Sequence, residues 1–324
     1  MNQVIIIGSG PAAFTAAIYA ARAALSPLLF ASQVEAGGEL MNTTDVENFP
    51  GFPEGIQGPE LMEKMQAQAE RFGTEVIYDD VTAVDFGSTP KQVTTSDGTV
   101  HEASTVIFAT GSAYRKLGLP EEDRLSGHGI SWCATCDGFF FKDKTIAVVG
   151  GGDAAMQEAT FLTRFASKVY IVHRRDTLRA SKIMQQRAFD SDKIEFIWNA
   201  EVAAIHGDAK VSGLTLRDTV NAEERELPID GLFIAIGNDP RTHLVHGVLE
   251  LTAEGTVAVD GRSSRTPIPG VFAAGDVIDP TYRQAITAAA SGSTAALDAE
   301  HFLASAPTTV SPDTEVTAPQ PTSA

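Results

Sequence analysis

The sequence predicts an α/β protein with two parallel-sheet domains, the second inserted into the first. Three observations predict it. Val4-Ile5-Ile6-Ile7 runs into Gly8-Ser9-Gly10-Pro11-Ala12-Ala13, then an alanine-rich segment, then the apolar run Leu28-Leu29-Phe30. Ile146-Ala147-Val148-Val149 repeats the order, running into Gly150-Gly151-Gly152-Asp153-Ala154-Ala155, a second helical stretch and Val169-Tyr170-Ile171-Val172. The spacing repeats as well: each second strand ends 23 residues after its first glycine, at Ala31 and at His173.

Strands that are apolar at every position are buried on both faces, the condition of a parallel sheet covered by helices. In each copy the first glycine turns the chain. The second lets backbone N–H groups approach a pyrophosphate at the positive end of the helix, and a small residue, Ala13 or Ala155, lets helix and strand pack closely. Each unit is therefore a Rossmann-like dinucleotide site. Two more apolar runs end in glycine, Val106–Gly111 and Leu232–Gly237, and each leads into linker-like sequence. Val271–Asp276 reads as a further buried strand and Gln284–Leu303 as a helix. The simplest topology places one dinucleotide domain over 1–113 and 246–304, interrupted by the other over 114–245. Residues 305–324 hold four of the 16 prolines and no Lys, Arg or aromatic residue, a composition expected to stay disordered.

Lys and Arg total 24 against 42 Asp and Glu, a net charge of −18. That balance argues against a nucleic-acid or anionic-membrane partner. No apolar run reaches the ~18 residues of a membrane span. The first strand begins almost at Met1, leaving no room for a signal peptide, so a cytoplasmic location is expected. Cys133 and Cys136 are the only cysteines, which excludes a disulfide scaffold.

The two sites differ in chemistry. A nicotinamide site without a 2′-phosphate places an acid at the end of its second strand. The second unit has His173-Arg174-Arg175 there, with Arg179 close behind. Guanidiniums match a phosphate dianion, so NADPH is expected over NADH. The first unit has Ala31, so its ribose must be held otherwise, through Ser32, Glu35 or backbone. Thr266 to Asp276 fits the T-x-x-x-x-h-F-A-x-G-D pattern (h apolar) of flavoproteins, in which the Asp bonds the ribityl chain of FAD. Arg283-Gln284-Ala285-Ile286 then opens a helix whose N-terminal dipole suits the negative charge of reduced flavin. FAD is thus the expected ligand of the first unit.

Cys133-Ala134-Thr135-Cys136 allows three readings. A structural zinc normally needs four ligands, and this pair with His128 supplies at most three, so no metal is expected. Two inert thiols are possible. A redox dithiol is favoured, because the spacing lets one cysteine attack and the other resolve. Asp137 is the candidate proton donor to a departing thiolate, or else a plain turn acid before Gly138.

With these motifs in place, the chain resembles the low-molecular-weight, bacterial-type thioredoxin reductase family over about residues 3–304. The resemblance rests on Gly8-Ser9-Gly10-Pro11-Ala12, Gly37-Gly38 with Val46-Glu47-Asn48-Phe49-Pro50-Gly51, Cys133-Ala134-Thr135-Cys136-Asp137-Gly138, His173-Arg174-Arg175-Asp176, and Gly275-Asp276 with Tyr282-Arg283-Gln284-Ala285. It implies FAD on the interrupted domain, NADPH and the redox disulfide on the inserted one, thioredoxin as substrate and a homodimer. It also implies that Asn48 and Val81 line the FAD site, that Gly152, Asp153 and Ile236 approach NADPH, and that Cys136 faces the flavin while Cys133 attacks thioredoxin. The chain departs from the family's usual residues at Ala154 (commonly Ser), Ala290 (Gly) and Trp132 (Tyr), and some relatives carry Glu at the Ala31 position. None of these is a reacting group.

Other readings are a flavin enzyme oxidising a small-molecule dithiol, the reductase of a peroxidase system, another thioredoxin-like substrate, and a non-catalytic redox sensor. The arginine cluster and intact cysteines favour NADPH-driven thioredoxin reduction. Connectivity adds one expectation. Nicotinamide and disulfide must both reach one flavin, yet both sit on the inserted domain, so that domain should rotate about connections near Gly111-Ser112-Ala113 and Gly237-Asn238-Asp239-Pro240.

Overall fold

The computed structural model describes residues 1–34, 36–43 and 45–305. The segment expected to be disordered lies outside these residues except for Ser305, the last residue of a helix. Asn2–Ile7 is the hub of a seven-stranded sheet ordered Glu75–Tyr78, Leu28–Ala31, Asn2–Ile7, Val100–Phe108, Lys91–Thr95, Val81–Asp85, with Val271–Ala273 also paired to Val100–Phe108. Its apolar strands pair in parallel, Ile5 lying opposite both Leu28 and Val106. Thr145–Val149 is the equivalent hub of a five-stranded, all-parallel sheet, with Ile146 opposite Val169 and Gly231. These are two Rossmann-like sheets. A three-stranded antiparallel sheet, Ala200–His206, Gly213–Asp218 and Glu224–Pro228, packs with the second.

The duplication extends to the contact that shapes each turn. A Cβ on Gly8 (φ +122°) would lie 2.2 Å from the carbonyl oxygen of Ala109, and one on Gly150 (φ +153°) 2.5 Å from that of Ala235. Only glycine fits where the turn crosses the end of the neighbouring strand. The expected strand Val271–Asp276 is shorter than its apolar run: it stops at Ala273, and Gly275–Val277 forms a 3₁₀ turn. Gly275 takes a left-handed φ of +82° there, which no strand residue adopts.

The long helix Ala285–Ser305 packs on Pro11–Arg22. The close approach is made by Gly292, whose hypothetical Cβ would meet the Ala12 carbonyl oxygen at 2.1 Å. Ala290, two residues before Gly292, is exposed.

The chain crosses between the sheets twice, and the crossings pair. Ser112–Tyr114 and Asn238–Pro240 form an antiparallel ribbon, with Ala113 opposite Asp239. The Arg115 Nε donates to the Asp239 carboxylate at 2.8 Å across it. Val245 packs with Phe108 and Val271 in the core of the first sheet. Among the described residues no helix is long and apolar enough to cross a membrane.

Gly292→Ala should lower stability by about 1–3 kcal/mol, because backbone must move to admit the methyl group. Ala290→Gly should cost only about 0.5–1 kcal/mol through helix entropy. Thermal unfolding of both variants checks the order; an equal or smaller loss at Gly292 removes the proposed contact.

Candidate active site

A cavity of about 510 Å³ opens at the end of the first sheet. Of the residues expected to hold FAD, Ser9, Gly10, Pro11, Ala12, Gly38, Asn48, Val81, Asp276, Arg283, Gln284 and Ala285 line it. Gly37 and Ile286 do not. Gly37 stands behind the wall and donates its N–H to the Ser9 hydroxyl at 2.9 Å. Ile286 lies on the exposed side of its helix.

The cavity suits a flavin dinucleotide. A Cβ on Gly10 would meet nothing within 4 Å, so its α-carbon faces open space, and Gly38 closes against it. Asp276 is held at one side, its carboxyl pushed up to about 6 by burial and the neighbouring Asp279 charge, against Arg283 and the Ser112 hydroxyl. A buried acceptor of that kind fits the hydroxyls of a ribityl chain. Beside buried Ala31 the wall is completed by Ser32, Asp79 and Asp80. Asp79 and Asp80 follow the adjacent strand, Glu75–Tyr78, and bring carboxylates to the wall beside the strand end that has none. Glu35, the other candidate, lies outside the described residues. Glu39 and Arg241 form a half-buried ion pair at 3.0 Å on the same wall.

Cys133 and Cys136 are joined in a disulfide around the four-residue helix Ala134–Asp137. The Ser131 hydroxyl accepts from the Cys133 N–H at 3.0 Å and donates to its carbonyl at 3.3 Å, fixing the first cysteine. Cys136 lines the flavin-sized cavity; Cys133 lines a second one of about 610 Å³ between the inserted domain and residues 281–284. Gln284 spans the two domains: its Nε2 lies 3.8 Å from the Cys133 sulfur, and its Oε1 accepts from Asn48 at 3.2 Å. Burial holds the Asp137 carboxyl above its usual range, opposed by the Ser131 hydroxyl. A carboxyl that keeps its proton longer is suited to donating it. Trp132 stacks on Tyr114 of the ribbon, centroids 6.0 Å apart. Among the described residues no group of three or more His, Cys, Asp or Glu is placed to hold a metal ion.

At the second glycine loop, Gly152 caps helix Asp153–Leu162 and its α-carbon also faces open space. Arg174, Arg175 and Arg179 are exposed, and among the described residues no carboxylate lies within ion-pair distance of them. His173 is buried beneath them. Burial and the three guanidiniums lower its pKa, against a bond from its Nε2 to the Thr177 carbonyl. Ile236 packs on the inserted domain's core. None of these seven predicted residues (Gly152, Asp153, His173, Arg174, Arg175, Arg179 and Ile236) lines the flavin-sized cavity.

Sequence reasoning missed Ser131, Asp79, Asp80, the Glu39–Arg241 pair and Glu158. Ser131, two residues before Cys133, was the only one with a local signal. Glu158 accepts from the Ala134 N–H, faces Arg283 and keeps a buried Oε2 without a hydrogen-bond partner among the described residues. Burial pushes its carboxyl up to about 7.

The family model described as pyridine nucleotide-disulphide oxidoreductase matches residues 2–292. Two dinucleotide sites and a redox disulfide define that class. A thioredoxin reductase of Streptomyces clavuligerus is 66% identical over 304 residues, 94% of each chain. One from Mycolicibacterium smegmatis is 58% identical over 94% of this chain and 97% of its own. The structure of Streptococcus pyogenes thioredoxin reductase superposes with a TM-score of 0.89 at 44% identity, covering 93% of this chain and 98% of that one. The Lactococcus lactis enzyme in its FR conformation gives 0.63 at 41% identity, covering 94% and 99%. The chain belongs to the low-molecular-weight thioredoxin reductase family.

Glu158 makes stability depend on pH. Well below the ordinary carboxylate value both folded and unfolded chains hold its proton. Between about 4.5 and about 7 the unfolded chain releases the proton while the fold retains it, so stability falls as pH rises, and the loss levels off above about 7. Glu158→Gln should therefore stabilise the FAD-loaded protein at alkaline pH by on the order of 2–3 kcal/mol, converging with the parent in acid. Denaturant titrations across pH check this; a pH-independent difference refutes the assignment.

Proposed function

We propose that this thioredoxin-disulfide reductase carries electrons from NADPH through FAD and the Cys133–Cys136 disulfide to thioredoxin. The observation that carries the reading is the disulfide's position, with Cys136 on the wall of the flavin-sized cavity and Cys133 on another cavity. FAD, when bound, relays an electron pair from the nicotinamide to the disulfide. The FAD domain comprises 1–113 and the chain beyond the ribbon, and the inserted domain holds NADPH at Gly152 and the arginine cluster.

Two electrons open the Cys133–Cys136 bond. The Cys133 thiolate then attacks the disulfide of thioredoxin, forming a mixed disulfide and expelling a thiolate that Asp137 protonates. Cys136 attacks Cys133 in turn, restoring the bond and releasing reduced thioredoxin. Phe139 and Phe140, 61% and 45% exposed directly after this motif, offer an apolar surface to a protein substrate. The uncompensated guanidiniums support NADPH over NADH. A homodimer in the cytoplasm completes the proposal, supported by the family resemblance.

Cys136→Ser should form a stable mixed disulfide through Cys133 with a thioredoxin whose second cysteine is replaced and whose remaining cysteine is activated as an aryl disulfide. The aryl thiolate departs, and no thiol remains to resolve the adduct. Peptide mapping of the adduct tests the roles; capture on Cys136 in the Cys133→Ser variant, with none on Cys133, reverses them.

The inserted domain also rotates in this proposal. Cys136 occupies the wall of the flavin-sized cavity in the present orientation, and the NADPH residues lie away from it. The lower TM-score against the FR conformation, at similar identity and coverage, supports a second arrangement of the same domains. The ribbon Ser112–Tyr114/Asn238–Pro240 is the place to turn, with Gly111 and Gly237 at left-handed φ beside it. An engineered cross-link holding the present orientation should abolish turnover while sparing electron exchange between the flavin and the disulfide. Wild-type turnover in a fully cross-linked sample excludes rotation.

A further inference from the structure

Three arginines within six residues repel one another, and among the described residues no carboxylate lies within ion-pair reach of them. A surface loop carrying them should wander unless its backbone is tied. Residues 173–181 are tied to the glycine loop at three points. The Gly151 carbonyl accepts from both the Arg179 and Ala180 N–H groups, at 2.8 and 3.1 Å. The His173 ring fills the space a side chain on Gly151 would need, its Cε1 lying 2.1 Å from a hypothetical Cβ. The third tie is a carboxylate. Asp153 Oδ1 accepts from the Ser181 N–H at 2.7 Å and from its hydroxyl at 2.9 Å.

The third tie is unusual in what each partner gives up. Ser181 is the N-cap of helix Lys182–Phe189, yet its side chain does not cap that helix. Asp153 is the first residue of helix Asp153–Leu162, where an acid would ordinarily serve the helix dipole. Instead one carboxylate joins the starts of two successive helices and brackets the arginine loop between them. It also commits a negative charge beside the glycine loop to internal donors, where a pyrophosphate would otherwise meet it.

We infer that Asp153 and Ser181 are positioning residues that set the Arg174–Arg179 loop for a 2′-phosphate, so that selection of the phosphorylated dinucleotide depends on this staple. The inference rests on the NADPH reading above. Holding the guanidiniums in place before the ligand arrives reduces the ordering cost of binding. The staple should therefore matter most to the group those guanidiniums contact.

The test is calorimetric titration of the FAD-loaded enzyme with 2′,5′-ADP and with 5′-AMP. Both ligands carry the 5′-phosphate, so a charge change near the glycine loop cancels in the ratio of their dissociation constants. Asp153→Ala should reduce the wild-type preference for 2′,5′-ADP by about 5- to 20-fold, the loss of charge-assisted hydrogen bonds passed on in part. Asp153→Asn keeps an acceptor for Ser181 and should stay within about three-fold of wild type, and Ser181→Ala should fall between. Arg174→Ala/Arg175→Ala serves as the control for the site. If the arginine variant loses the preference and Asp153→Ala keeps it, the staple is refuted and the NADPH reading stands. Equal losses in Asp153→Asn and Asp153→Ala also refute it, since asparagine keeps an acceptor for Ser181 and the bond to Ser181 would then not be what sets the preference. If the wild type shows no preference, or the arginine variant retains it, the NADPH reading fails and the staple with it.

Discussion

The structure depends on one steric contact made twice: a glycine α-carbon lying against the carbonyl at the end of the neighbouring strand. Gly8 does this at Ala109 and Gly150 at Ala235. Because no side chain intervenes, the helix starts directly over the sheet edge and its free N–H groups face a crevice. Gly10 and Gly152 then leave that crevice open. Everything bound at either site, and the place of the disulfide relative to it, follows from these two turns.

The second organising constraint is the placing of the disulfide between two cavities, Cys136 on the wall of the flavin-sized one and Cys133 on the other. Cys136 stands on that first wall, and Gly152, Asp153, Ile236 and the arginine cluster do not. Pairing the two crossings as one short ribbon keeps the two sheets joined along a single line. Contacts across the interface are correspondingly light and polar: Gln284 against the Cys133 sulfur, and Arg283 facing Glu158. Burial places both Asp137 and Glu158 above the usual carboxylate range near this interface, so protonation and docking share the same few side chains.

Charge is used economically in a chain of −18. Arg174, Arg175 and Arg179 stand together without carboxylate partners among the described residues, while Asp153 at the glycine loop is turned to Ser181. The loop's backbone is tied at its ends, by His173 to Ile197 and by Arg179 and Ala180 to Gly151.

By itself the sequence determined the two βαβ units, their glycine turns, the insertion of one domain in the other and the identity of the reacting cysteines. These are legible because strand burial, helix composition and turn chemistry are local properties with fixed spacing. Only the tertiary structure decided which side chains complete the sites. Asp79 and Asp80 reach the cavity from a neighbouring strand, Arg241 meets Glu39 across some two hundred residues of chain, and Glu158 lies under the disulfide from another helix. It also shortened the Val271–Asp276 strand and moved Gly37 and Ile286 off the cavity wall, since left-handed backbone and helix rotation decide those positions. No spacing rule encodes such meetings, because they depend on how separately formed elements pack, and packing is settled by the whole fold at once.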